Sequence, residues 1–213
     1  MKIISFCVAV LCAIHANAQT SKEILDKLSA KAKGYGTITA DFSSTLQNAK
    51  TGANQTNKGS VKIKGSKYKV TLGDYNIWCD GTTVWNYNKS SNEVTIDNLA
   101  DVKDGGFDPS ELFTIWEKDF KHEMKNTSAS AGGVSCYQIA LNPINPKNKS
   151  YHTVTMFIDK AKLEIARVEV KTRENATVSY DIKSFKSGSE LPDTEFRFDK
   201  GKFPGVSEVD NRI

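Results

Sequence analysis

Residues 37–47 alternate without a break. Ile38, Ala40, Phe42, Ser44 and Leu46 share one face of an extended chain, mostly apolar, while Thr37, Thr39, Asp41, Ser43, Thr45 and Gln47 share the other, wholly polar. Side chains along a strand point to opposite faces in turn. The run is therefore a strand with one dry and one wet face, as antiparallel sheets have. Residues 60–64 and 67–72 read as strands around a Gly65-Ser66 turn, with Val61, Ile63, Tyr68, Val70 and Leu72 on one face and Lys62, Lys64, Lys67 and Lys69 on the other. Residues 77–96 form a three-strand meander. Asp80-Gly81 favours positive φ at both centres of a two-residue turn, and its arms carry Trp78, Trp85 and Tyr87, which suit a pleated surface. A second loop at 88–92 leads into Glu93-Val94-Thr95-Ile96. More strands fall at 134–141, 152–158, 163–172 and 176–185, and residues 195–198 offer a short one. Strands at roughly ten-residue spacing joined by hairpins indicate an antiparallel sheet.

Two helices stand out. Thr20-x-x-Glu23 is a capping box, followed by Ile24, Leu25, Leu28 and Ala32 on one helical face and ended by Gly34 and Gly36. Asp108-Pro109-Ser110-Glu111 is a second capping box with Pro at the first helical position, and the helix expected there carries Leu112, Phe113, Ile115 and Trp116. Residues 49–58 read as a polar loop, 99–106 as an irregular acidic connection, and 128–133 as a small-residue loop. A large sheet has to cover its apolar face, and the two amphipathic helices are the available cover. The expected fold is mainly β with a few helices (α+β), in a single domain.

The N-terminus reads as a secretory signal: Lys2, a short apolar run at 3–14, and the small-x-small site Ala16-Asn17-Ala18. The expected division is a signal peptide at 1–18, cleaved after Ala18, and one domain at 19–213, placed outside the cytoplasm. Cys7 and Cys12 lie in the signal and lack the context of a lipid-modified cysteine. The formal charge is +4, or +3 without Lys2, far from a nucleic-acid binder's footprint. Cys79 and Cys136 remain after cleavage. An oxidising compartment permits a bridge between them if their strands are adjacent; otherwise they are two small buried hydrophobes.

No catalytic pattern emerges. There is no Gly-x-Ser-x-Gly elbow, phosphate-binding glycine loop or His-Glu-x-x-His. His122 lies in a mixed-charge run and His152 begins a strand, so both read as surface or capping residues, without metal-ligand spacing. No enzyme activity, metal or cofactor is expected. Lys62, Lys64, Lys67 and Lys69 read either as a solvated face that discourages edge pairing or as a contact for an acidic partner or anionic lipid surface. The segment after Asp108 reads either as core or as a lid.

In order and spacing, these segments resemble the periplasmic outer-membrane lipoprotein carrier family, the LolA-type chaperones. The resemblance runs from the first helix and Ala40-Asp41-Phe42 through residues 59–70, Asp80-Gly81-x-x-x-Trp85-x-Tyr87 and residues 109–116. Asp193-x-x-Phe196-x-Phe198 and Phe203-Pro204-Gly205-Val206 look like the C-terminal segment of Bacteroidetes-type members. The resemblance implies an incomplete antiparallel β-barrel closed by a helical lid over an apolar cavity. It also implies a monomer that takes acylated lipoproteins from an inner-membrane ABC-type release complex and delivers them to an outer-membrane acceptor. Well-known members carry Arg-Pro where this chain has Gly65-Ser66. Either Lys64 or Lys67 substitutes for that arginine, or the lid is held differently.

Exposing a methylene to water costs about 0.8 kcal/mol, so acyl chains need a dry carrier. The expected lining is Phe42, Leu46, Val70, Trp78, Trp85, Met156 and Ile158, with Leu112, Phe113 and Trp116 from the lid, each equally consistent with ordinary core packing. Rival readings are a lipid- or lipoprotein-sensing regulatory module, a carrier of other lipids, and an envelope hydrolase.

Overall fold

The computed structural model describes residues 20–105 and 108–212; the proposed signal at 1–18 lies outside them. Helix α1 (Ser21–Lys33) opens on the expected capping box, with Thr20 accepting from the Glu23 amide and Glu23 accepting from Thr20. Then come β1 (Thr37–Asn48), β2 (Asn54–Lys64), β3 (Lys67–Leu72), β4 (Tyr75–Cys79), β5 (Thr83–Asn88) and β6 (Glu93–Asn98). Helix α2 (Leu99–Gly105) and two 3-10 turns (Pro109–Glu111 and Ile115–Glu117) lead to β7 (Phe120–Ala131), β8 (Val134–Pro143), β9 (Tyr151–Asp159), β10 (Ile165–Thr172) and β11 (Ala176–Ser187). A tail with β12 (Ser207–Asp210) ends the described chain.

All twelve strands join one sheet in the order β12-β6-β5-β4-β3-β2-β1-β11-β10-β9-β8-β7. Every pairing is antiparallel except β12 with β6. β12 and β7 are not paired with each other, so the sheet is an open half-barrel. This order dictates the cover. β6 lies near one edge and β7 forms the other, so residues 99–119 must cross the sheet.

Directly opposed residues share a face. One concave row runs Ile38, Ile63, Tyr68, Cys79 and Val84 across β1 to β5. Another runs Leu141, Val154, Val170, Val178 and Leu46 across β8 to β11 and into β1. A bulge in β11 leaves Lys183 unpaired between Ile182 and Ser184, so Ile182 and Phe185 keep to the same face despite their odd spacing.

Six local expectations need correction. Residues 99–105 are helical: buried Leu99 anchors the first turn on the core, and Asp101 suits the positive end of the helix. After Asp108 the chain forms two 3-10 turns instead of an α-helix. Asp108 caps the first, accepting from the Ser110 amide at 2.8 Å. Phe113, between the two turns, and Trp116, in the second, are both buried. Asn54 to Lys58 belong to β2, because backbone pairing to residues 43–47 needs no apolar side chain. β7 escapes sequence reading for a related reason. It is an irregular edge strand with mostly exposed side chains, so it lacks alternation. Residues 193–196 form a 3-10 turn, and the tail's strand lies further on at Ser207–Asp210. The Asp80 turn is also wider than two residues: the Asp80 carboxylate accepts from the amides of Thr82 and Thr83, and Gly81 alone takes positive φ.

Candidate functional site

The concave face divides into a packed part and a half-open part. Ile24, Leu25 and Leu28 of α1 share one buried cluster with Ile139, Leu141, Val154, Met156 and Ile158. Phe113 and Trp116 of the crossover join it, with Leu112 and Ile115 partly buried against it. Elsewhere on the same face the apolar residues keep solvent contact. Val61, Val70, Leu72, Ile77, Val170, Val178 and Ile182 are half-buried, and Leu46, at 37 % exposure, is open. The result is an apolar groove with packed flooring under α1 and the crossover and a wettable mouth towards Leu46 and Leu72.

Phe42 crosses the floor of this groove. Its ring lies over Gly59, where a Cβ would come within 2.5 Å of the ring, and it meets Tyr180 edge-on at 5.8 Å. Glycine is what lets the ring lie flat against β2. Burial pushes the phenols of Tyr68 and Tyr180 and the thiol of Cys79 upward, so all three present neutral groups to the concave side. The charge of the buried Asp108 adds to the shifts at Tyr68 and Cys79, and Asp97 lies opposite Val84 at the end of the concave row.

Of the lining expected from sequence, Phe42, Leu46, Val70, Met156 and Ile158 lie on the concave face, with Leu112, Phe113 and Trp116 on the crossover. Trp78 and Trp85 do not join them. Val70 pairs with Ile77, which leaves Trp78 opposite Lys69 and Trp85 on the outer face. There Trp78, Tyr87 and Val94 form a separate cluster covered by Phe198, Phe203 and Val206 of the tail. Phe198 and Phe203 stack at 4.9 Å and meet Trp78 edge-on at 5.6 and 5.8 Å. Carrying the strand parity of residues 67–72 through the next hairpin would have shown this, and would also have identified Ile77.

The four lysines also face outward, but they are not an open basic patch. Asp193 pairs with Lys64 and Lys67 at 3.0 and 2.6 Å, and Glu195 pairs with Lys62 and Lys69 at 2.9 and 2.8 Å. Hydrogen bonds from these ammonium groups hold both carboxyls below their usual range. The tail is thus strapped across the outer face by ion pairs and aromatic contacts. The cysteines are both free and buried. Cys79 lies in the concave cluster and Cys136 in an outer cluster with Ala129, Ala131 and Phe157. They sit on opposite faces of strands far apart in the sheet order, which rules out the bridge. His122 Nδ1 meets the Ser21 hydroxyl at 2.9 Å, fastening α1 to β7, and exposed His152 bonds its neighbour Thr153.

Among the described residues no group of His, Cys, Asp and Glu is placed to hold a metal, and no helix is long and apolar enough to cross a membrane.

The architecture is thus an open half-barrel whose largely apolar concave face is partly covered by α1 and the crossover. The family model described as outer membrane lipoprotein carrier protein LolA matches residues 11–176, and the chain belongs to that family. No curated protein matches the chain significantly. A conserved protein of Thermus thermophilus has a similar structure, with a TM-score of 0.56 at 13% identity, covering 91% of this chain and 100% of that one. That likeness bears on the fold alone. A LolA superfamily protein of Nitrosomonas europaea superposes more loosely, with a TM-score of 0.46 at 14% identity over 86% of this chain and 100% of that one. So does the lipoprotein LppX of Mycobacterium tuberculosis, at 0.43 and 12% identity over 81% and 100%.

Proposed function

We propose that this protein is a periplasmic carrier of lipoproteins. It holds their acyl chains in the concave groove, receives them from an inner-membrane ABC-type release complex, and passes them to an outer-membrane acceptor. In this reading residues 1–18 direct export and are removed after Ala18.

The observation that carries the proposal is a concave face with two half-buried apolar rows, Val61, Val70 and Ile77 in line with Ala40, and Val178 with Leu46 six residues further along β1. A folded protein gains by burying such residues, and here they stay partly wet beside a packed core. An acyl chain laid along them would bury its own methylenes at about 0.8 kcal/mol each. Partial solvation also suits release. Nothing in the site hydrolyses a nucleotide, so cargo has to leave for an acceptor that binds it more tightly. A shallow groove gives the modest affinity this handover needs. Family membership supports lipoprotein cargo over other apolar ligands.

Native mass spectrometry of the mature protein, purified from its own periplasm, tests the reading. One-to-one complexes with acylated lipoproteins are expected. Phospholipid alone would point to lipid transport or sensing instead.

A further inference from the structure

Between the two apolar rows of the concave face lies a polar one. Tyr180 of β11 stands opposite Ser44 of β1, and Ser44 stands opposite Asn57 of β2. Strand parity puts all three on the face that carries Phe42, Leu46, Val61, Val178 and Ile182. Neighbouring strands are spaced so that the three Cα atoms span about 10 Å. On one side the row continues through Val168 to Met156 of the packed core. On the other it ends at Asn57, beside Gly73 at the mouth of the groove.

The hydrogen-bonding groups of this row are unspent. Ser44 is 6 % exposed, and Tyr180 and Asn57 are half-buried. Among the described residues none of the three side chains has a hydrogen-bond partner. A hydroxyl held away from water costs stability unless something bonds to it. Burial pushes the Tyr180 phenol up, so it keeps its proton and can donate. The nearest neighbours on the same face, Phe42 and Leu46, Gln55 and Gly59, and Val178 and Ile182, carry no charge. A phosphate or carboxylate would meet no counter-charge there, whereas a neutral carbonyl would meet donors.

We propose that Ser44, Tyr180 and Asn57 form a subsite for the carbonyl of an acyl ester or amide, holding the head of the chain while its methylenes lie on the apolar rows to either side. The subsite rests on the carrier reading and adds to it a preference for how the chain is linked. The Tyr180 hydroxyl donates to the carbonyl oxygen. The Ser44 hydroxyl or the Asn57 amide donates to the same oxygen, or to a second carbonyl about 5 Å further along the row. Apolar contact alone cannot tell an ester from an ether. A site built to hydrogen-bond can, because the wrong ligand leaves its donors unpaired.

Two competitors that differ only at this point test the subsite: the hexadecanoyl glycerol monoester and the hexadecyl glycerol monoether. Each displaces Nile red, a neutral dye that fluoresces in apolar surroundings, from the delipidated mature protein. The ester is expected to bind about five- to tenfold more tightly than the ether. Tyr180→Phe and Ser44→Ala are each expected to bring that ratio down to about two, with ether affinity unchanged. Tyr180→Phe keeps the ring that meets Phe42 edge-on, and Ser44→Ala removes a hydroxyl that no described residue bonds, so both variants should fold; if one does not, the other decides. Equal affinity for ester and ether in the parent protein would overturn the subsite and leave the groove standing, as would a preference that survives the substitutions. Displacement by neither compound would overturn the carrier reading and the subsite with it.

Discussion

Leu46 and Ile139 lie on the same concave face but differ in burial, and the carrier reading gives them opposite tasks. Leu46 is 37 % exposed at the groove mouth, and Ile139 is 0 % exposed in the cluster with α1. Fully burying a leucine side chain is worth about 1.5–3 kcal/mol. The share that Leu46 leaves open for a bound acyl chain is then about 0.6–1.1 kcal/mol. Leu46→Ala should therefore weaken binding of a fluorescent fatty-acid probe by roughly three- to sixfold, with stability within about 0.5 kcal/mol of the parent. Ile139→Ala should do the reverse. It opens a cavity in packed core and should cost about 2–5 kcal/mol in urea unfolding, with probe affinity nearly unchanged in the folded fraction. The crossed pattern is the test. If Leu46→Ala loses stability and keeps affinity, or Ile139→Ala does the opposite, the division of the face into groove and core is wrong.

Three other outcomes follow from the geometry. Trp78→Ala should cost about 3 kcal/mol or more of stability without weakening the probe, because its ring packs under Phe198 and Phe203 on the far side of the sheet; lost affinity at full stability would return Trp78 to the groove. Asp193 and Glu195 have carboxyls lowered from 3.8 and 4.5, so their contribution is fully present above the ordinary carboxylate range and is lost as pH falls through the lowered values. The tail should accordingly stay docked from pH 8 to about 5 and loosen only below about 4, as followed by proteolysis of residues 189–206; release near neutral pH would contradict the strap. Alkylation of the denatured, unreduced mature protein should add two labels, one at Cys79 and one at Cys136, and the mass of an unlabelled protein would contradict their placement on opposite faces.

The sheet was legible because most of its strands announce themselves by alternation. Residues 37–47 and 60–72 have one apolar and one polar face, and hairpin residues separate them. The strands that escaped lack that contrast. β7 is an edge with little to bury, and the start of β2 is held by backbone pairing alone. The groove was half legible. Strand parity puts Phe42 and Leu46 on one face of β1 without saying which face is concave, and it has to be carried through each turn: one slip across residues 73–74 moves Trp78 and Trp85 to the wrong face. The tail's role was hidden for another reason. Two acids more than a hundred residues from four lysines leave no local pattern, and only the fold brings Asp193 and Glu195 onto Lys62, Lys64, Lys67 and Lys69. The same holds for Ser29 and Phe113, which are joined by a backbone carbonyl that sequence does not mark.

Photocrosslinking tests most directly whether acyl chains lie on the concave face. A photoreactive side chain is placed at Leu46 in one variant and at Thr45 in another. These are neighbours whose side chains point to opposite faces of β1, with the Thr45 hydroxyl bonded to Thr56 on the outer side. Irradiation with an acylated lipoprotein should yield a crosslinked adduct from position 46 and none from position 45. Adducts of equal yield at both positions, or an adduct at 45 alone, would contradict the account.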